Sequence, residues 1–248
     1  MSQRGSEPSE ADSERVIALH RATISAVDFR KARFDRFDLG GCRFERCDFR
    51  GMRLGKRYAS LFAALPRSVF RNCYFDSADL RRFRLGQSRF ERCTFDDARF
   101  AGCDVDDAEF VDCRFAGRLE GVVFRGVPTT PQPLDPPRTR NEFRGNDFRD
   151  AELGDVAFIE GIDIDRQRWP IDELHVRVDH FHKRLRKARS EVIKWYERDR
   201  GPALAMLSEL ATRWRGQETV VARRWTPRLA TPVRVQARLW ALLERVSP

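Results

Sequence analysis

From Cys73 to Phe115 an apolar residue returns at every fifth position: Phe75, Leu80, Leu85, Phe90, Phe95, Phe100, Val105, Phe110 and Phe115. Two places before each, the residue is small at Cys73, Ala78, Ser88, Cys93, Ala98, Cys103, Ala108 and Cys113, with Phe83 the exception. This period matches neither a helix at roughly 3.6 nor a strand at roughly 2. It fits a chain that turns a corner every five residues and stacks coil on coil, burying one continuous apolar column. The register begins near Ile24 and runs through Phe29, Phe34, Leu39, Phe44, Phe49 and Leu54. It breaks over residues 55–68, resumes at Phe70, and breaks again over 126–140, where Pro128–Pro137 predicts an extended loop. It returns at Phe143, Phe148, Leu153 and Phe158 and ends near Asp163.

The remaining positions of each repeat face outward and carry the charge, as with Arg43, Glu45 and Arg46 around Phe44. A coil of twenty residues sets Arg84 under Asp104, Asp79 under Arg99, Arg89 under Glu109 and Arg92 under Asp112. Each such surface pair is worth less than about 1 kcal/mol, so the ladders support register more than stability.

Ala78-Asp79-Leu80-Arg81-Arg82 and Cys93-Thr94-Phe95-Asp96-Asp97 resemble the units of the pentapeptide-repeat proteins, a likeness that spans about residues 22–160. The resemblance implies a mainly β fold, a right-handed quadrilateral β-helix with four repeats per coil. About five coils would then make a rod roughly 25 Å long. Some members of that family resemble a DNA duplex, bind type II topoisomerases such as gyrase and confer resistance to inhibitors. Their rods are acidic and dimerise through a C-terminal helix.

The last third changes period. Phe181, Leu185, Ala188, Val192 and Trp195 mark an amphipathic helix. Arg200-Gly201-Pro202 reads as a stop and restart, with Leu204, Leu207, Ala211 and Trp214 on a second helix. Val235, Leu239, Leu242 and Val246 mark a third after two Thr-Pro breaks. The chain thus divides into a polar, disordered tail (1–16), a β-helix (17–164) with inserted loops at 55–68 and 126–140, and a basic, amphipathic helical cap or tail (165–248).

Charge follows the same division. The net +9 lies entirely in residues 165–248, with 19 Lys+Arg against 10 Asp+Glu, whereas residues 1–164 hold 28 of each. The rod is therefore a balanced surface, unlike the acidic rods of the topoisomerase binders. Met1 to Glu14 lacks a signal-peptide pattern, which points to a cytoplasmic protein. Arginine outnumbers lysine 42 to 5, as in a GC-rich bacterial genome.

Candidate chemistry is sparse. All six cysteines sit two places before a repeat centre and read as free buried thiols, with Cys73, Cys93 and Cys113 in one column. Gly51 to Lys56 is one residue short of a phosphate loop and has Arg57 where Ser or Thr is needed. His20, His175, His180 and His182 read as solvated side chains, and His180 and His182 diverge on a helix. Asp104, Asp106, Asp107, Glu109 and Asp112 read as a charged face with Arg99 and Arg114 nearby. No catalytic residue, metal or cofactor is expected.

Two binding features stand out. Lys183, Arg184, Arg186, Lys187, Arg189 and Lys194 are candidate phosphate or anion contacts. Tyr58, Leu61, Phe62 and Leu65, in the first inserted loop, are candidate partner anchors. The chain reads as a non-catalytic scaffold for an unidentified protein partner. The alternatives are a gyrase-interacting resistance protein and nucleic-acid binding through the basic helices. A homodimer through the last helix is also expected.

Overall fold

In the computed structural model the five-residue period becomes a square. The structure describes residues 16–54, 60–61, 66–81, 83–129 and 138–248. One wall is a six-stranded parallel sheet in the order Phe143–Arg144, Glu109–Val111, Arg89–Glu91, Val69–Arg71, Arg43–Glu45, Thr23–Ser25. The next wall is a ladder through Asp28, Asp48, Tyr74, Thr94, Arg114, Asp147 and Arg168. A third runs through Arg33, Arg53, Asp79 and Arg99. The fourth pairs Val16–His20 with Arg36–Gly40, Ser60–Leu61 with Phe83–Arg84, and Val122–Arg125 with Val156–Ile159. The chain forms a quadrilateral β-helix six strands deep on its first wall, one coil more than the sequence predicted.

Bridged partners lie twenty residues apart, as in Asp28↔Asp48 and Tyr74↔Thr94. Across the first interruption the step is 26 (Asp48↔Tyr74), and across the second it is 33 (Arg114↔Asp147). Both interruptions are therefore extra length within a coil, and the ladder closes over them. The first is not wholly a loop or helix outside the coils, because Ser60–Leu61 is a strand of the fourth wall.

The corners are local. At many corners the residue two places after the centre takes a left-handed conformation: Ala26, Lys31, Arg46, Asn72, Ser77, Arg92, Asp97 and Asp112 all have positive φ. At Gly117 (φ +72°) an added Cβ would press on the Asp97 carboxylate, so glycine is favoured there.

Inside, the rings stack at the strand spacing. Phe44, Phe70, Phe90 and Phe110 follow one another at 4.9, 4.9 and 5.2 Å. Phe29, Phe49, Phe75, Phe95, Phe115 and Phe148 form a second stack at 4.6–5.1 Å. The two stacks meet edge to face, as at Phe70–Phe75 (5.6 Å, 71°), an arrangement the ring quadrupole favours. Phe37 and Phe83 take the position expected for a small residue and are fully buried. Their repeat centres are Leu39 and Leu85 rather than Phe, which offsets part of the added volume. All six cysteines are buried and free. Cys47 precedes Cys73, Cys93 and Cys113 in their column, and each thiol donates to a backbone carbonyl, as Cys73 Sγ does to Arg71 O at 3.3 Å. Burial pushes the Cys93 and Cys103 thiols well up, which keeps them protonated.

The far end of the column is closed by Trp169, stacked 5.0 Å from Phe148 and set edge-on to Phe158 at 4.7 Å. Below it the buried amides of Asn146 and Gln167 bond to each other and to Phe110 O and Phe143 O.

The C-terminal region is three helices and a two-stranded sheet. The sheet pairs His175–Val178 with Val220–Arg223 in antiparallel fashion, with the first two helices between them in the chain, and has no counterpart in the sequence prediction. The helices are α1 (Phe181–Val192), α2 (Glu197–Arg213) and α3 (Val233–Arg245). The expected break at Arg200-Gly201-Pro202 lies instead at 193–196. Pro202 sits in the second turn of α2, where it forfeits one hydrogen bond. These elements build a second core that includes Ala157 and Ile159, the outward residues of the strand Val156–Ile159. The helices thus pack on a side wall of the rod, while Trp169 covers its end.

Candidate functional site

The wall charges are neutralised locally. Wherever Asp precedes a repeat centre and Arg follows it, the pair closes across the corner: Asp28–Arg30 at 2.6 Å, Asp48–Arg50 at 2.5 Å, Asp79–Arg81 at 2.6 Å and Asp147–Arg149 at 2.6 Å. The Arg30 and Arg149 guanidiniums hold the Asp28 and Asp147 carboxyls down at about 2. Of the four predicted vertical pairs, Arg84–Asp104 (3.4 Å) and Arg89–Glu109 (2.9 Å) form ion pairs. Asp79 turns instead to Arg81, and Arg92 donates to Asn72 Oδ1 at 2.9 Å.

The acidic run 104–112 is likewise dispersed among arginines. Asp106 meets Arg125 at 3.1 Å, and Asp112 lies 3.8 Å from Arg144. Asp107 accepts from the Thr129 N–H at 2.6 Å. Glu109 is buried between Arg67 (2.6 Å), Arg89 (2.9 Å) and Arg138 (3.4 Å). No cluster of metal-ligating side chains occurs among the described residues.

His175 is buried, contrary to the solvated reading. Its Nε2 accepts the Leu153 N–H at 3.1 Å and its Nδ1 faces Asp172 at 2.8 Å. The Nδ1–H tautomer follows. This histidine fastens the two-stranded sheet to a coil edge and has no free nitrogen for a substrate. His180 pairs with Glu218, and His182 bonds to Trp214 O.

The basic run lies on α1, whose inner face buries Phe181, Leu185, Ala188 and Val192. The six predicted cations divide. Arg184 turns inward, pairs with Asp179 at 2.7 Å and donates to Leu243 O, Glu244 O and Val246 O at the end of α3. It caps α3 and is withdrawn from any anion. Lys187 donates to Pro248 O at 2.9 Å, and Lys194 pairs with Glu191 at 2.8 Å. Lys183, Arg186 and Arg189 are exposed, and their side chains have no partner among the described residues. Where α1 passes into α2, Ile193 is 55% and Tyr196 81% exposed. The sequence reading missed both. The apolar alternation around Trp195 was visible, but which side chain stayed outside was set by Arg238, whose guanidinium covers Trp195 at 3.8 Å.

The apolar stripe of α3 (Val235, Leu239, Trp240, Leu242, Leu243) is buried within its own chain. Arg234 and Arg238 turn to the buried Asp199 at 2.6 and 3.5 Å. Tyr58, Phe62 and Leu65 lie outside the described residues. Of Leu61 only the backbone is described, and it pairs with Arg84.

A family model described as pentapeptide repeats matches residues 19–55 in eight copies. No curated protein sequence matches the chain. Among solved structures, a trypsin-treated form of QnrB1, a plasmid-mediated fluoroquinolone resistance protein, is 15% identical. It covers 62% of this chain and 89% of its own, with a TM-score of 0.35. HetL, a pentapeptide repeat protein involved in heterocyst differentiation regulation from the cyanobacterium Nostoc, is 13% identical. It covers 64% and 87%, with a TM-score of 0.19.

Proposed function

We propose that this chain, a pentapeptide-repeat protein, acts without catalysis as a rigid scaffold that docks a protein partner bearing an acidic surface. The observation that carries this reading is the outer face of α1 and its junction with α2. There Lys183, Arg186 and Arg189, without partners among the described residues, flank the exposed Ile193 and Tyr196. Arginine and tyrosine beside an aliphatic anchor have the composition of interface hot spots. The buried inner face of α1 (Phe181, Leu185, Ala188, Val192) holds that face in place, so less of the interaction energy goes into ordering.

The test is affinity capture with the wild-type chain and with the quadruple variant K183E/R186E/R189E/Y196A. A single partner retained by the first and lost by the second supports the reading, provided both chains melt alike. Equal recovery by the two rejects it.

The same three cations favour nucleic acid as a second reading. Three phosphate contacts on duplex DNA would give a slope of log K against log salt of about −2.7. Duplex titration at two salt concentrations measures that slope, and affinity indifferent to salt excludes the second reading.

A further inference from the structure

Deeper in the rod every coil is bonded on both sides. Asp48 donates its N–H to Val27 O at 3.0 Å and accepts the Phe29 N–H at 2.7 Å, both in the coil below. Likewise the Arg43 N–H reaches Ala22 O (2.8 Å), the Arg53 N–H reaches Ala32 O (3.1 Å), and Glu45 O accepts the Ala26 N–H (2.9 Å). In the first coil the register sets Asp28, Thr23, Arg33 and Ser25 at these four positions. Their outward N–H and C=O groups have no coil below them among the described residues. Among the described residues Val16–His20 pairs only with Arg36–Gly40, so no described strand lies along its other edge.

The apolar column is open at the same end. Ile17, Leu19, Ile24 and Phe29 are only partly buried, whereas Phe49, Phe75 and Phe95 are fully buried and Trp169 covers the opposite end. Exposed edges of this kind are commonly guarded by a charge or a proline within the strand. Neither Val16–His20 (VIALH) nor Thr23–Ser25 (TIS) contains Lys, Arg, Asp, Glu or Pro. The rim has a sign: Arg21, Lys31 and Arg33 are exposed and without a partner among the described residues, while Asp28 is taken by Arg30. In the sequence, residues 1–15 hold Met1, Pro8 and Ala11 as their apolar side chains.

We propose that this end of the rod is a strand-addition site for an extended, acidic segment of a partner protein with apolar side chains at alternate positions. The segment's main chain would continue the coil-to-coil ladder along Val16–His20 and Thr23–Ser25. Its apolar side would cover Ile17, Leu19, Ile24 and Phe29, and its carboxylates would meet Arg21, Lys31 and Arg33. Backbone bonding supplies affinity in such complexes, and alternate side chains supply selectivity. A second copy fits less well, since two like ends would bring these cations together. The site does not depend on α1, so loss of function through Lys183, Arg186 and Arg189 leaves it standing.

The probe is a fluorescein-labelled nonapeptide alternating valine with glutamate, followed by anisotropy on the full chain. The control replaces each glutamate by lysine. The double variant A18P/T23P removes two outward N–H donors at an edge where proline is tolerated. The variant R21N/K31N/R33Q removes the cations, with asparagine at the two left-handed positions. Binding of the glutamate peptide, weakened about tenfold or more by lysine substitution and by each variant, is expected. The proposal is overturned by equal binding of both peptides, by no binding, or by unchanged affinity in two variants that melt like the wild type. It is equally overturned if light scattering shows a dimer of the unliganded chain that A18P/T23P dissociates.

Discussion

At the residue scale, the rod is held by rings whose surroundings are nearly identical from coil to coil. Phe75 lies 4.8 Å from Phe49 and 5.1 Å from Phe95, wholly out of water. Phe75→Ala should therefore cost about 3–5 kcal/mol. Phe29→Ala, in the partly open first rung, should cost visibly less, and urea unfolding of the two variants measures the difference. The corner carboxylates give a pH signature. Asp28 and Asp147 are held at about 2 by their arginines, below the unfolded aspartate value of about 3.9. A depressed acid stabilises the fold above its unfolded value, and that contribution is lost as pH falls. The urea midpoint should thus fall between about pH 4 and about pH 2, and less steeply in D28N/D147N. The Asp-centre-Arg triplets that cause this were readable in the sequence. Vertical pairing was predicted instead because a coil of twenty draws the eye to neighbours above and below. The shorter reach across a corner won at Asp79.

At the element scale, α1 illustrates what periodicity can and cannot say. Its buried face followed from spacing alone, since four apolar residues at steps of four and three must share one side. The roles of its cations did not follow. Arg184 and Lys183 are neighbours in a run of identical charge, yet one caps α3 and the other faces water. Arg184→Gln should destabilise the chain by about 1.5–3 kcal/mol because the last carbonyls of α3 lose a charged donor. Lys183→Gln should stay within about 0.5 kcal/mol of the wild type. Thermal melts of the two variants would separate them. The strand Val156–Ile159 makes the complementary point. Its four residues are all buried, because Phe158 faces the rod and Ile159 the helices. An apolar stretch without alternation was the available sign that both its faces were covered.

At the scale of the whole molecule, the two ends of the rod differ. Trp169 finishes one stack, while among the described residues nothing caps the stack at the first coil. Trp169→Ala should expose Phe148 and Phe158 and cost about 3–5 kcal/mol, and dye binding to the newly exposed surface would accompany the lower melting temperature. Among the described residues no helix is long and apolar enough to cross a membrane. The helical region contacts the rod through a wall and ion pairs such as Arg213–Asp155 at 2.5 Å.

The sequence by itself determined the square tube, its register through two interruptions, the buried thiols and the three helices. Each of these is a local rule applied many times, and a repeated local pattern leaves few folds that satisfy it. Only the tertiary structure decided which arginines are bonded and which are free, that His175 is a fastening rather than a solvated group, and that the helices lie on a wall. Those outcomes depend on contacts between residues tens of positions apart in the chain, where identical side chains differ only in what the fold brings beside them.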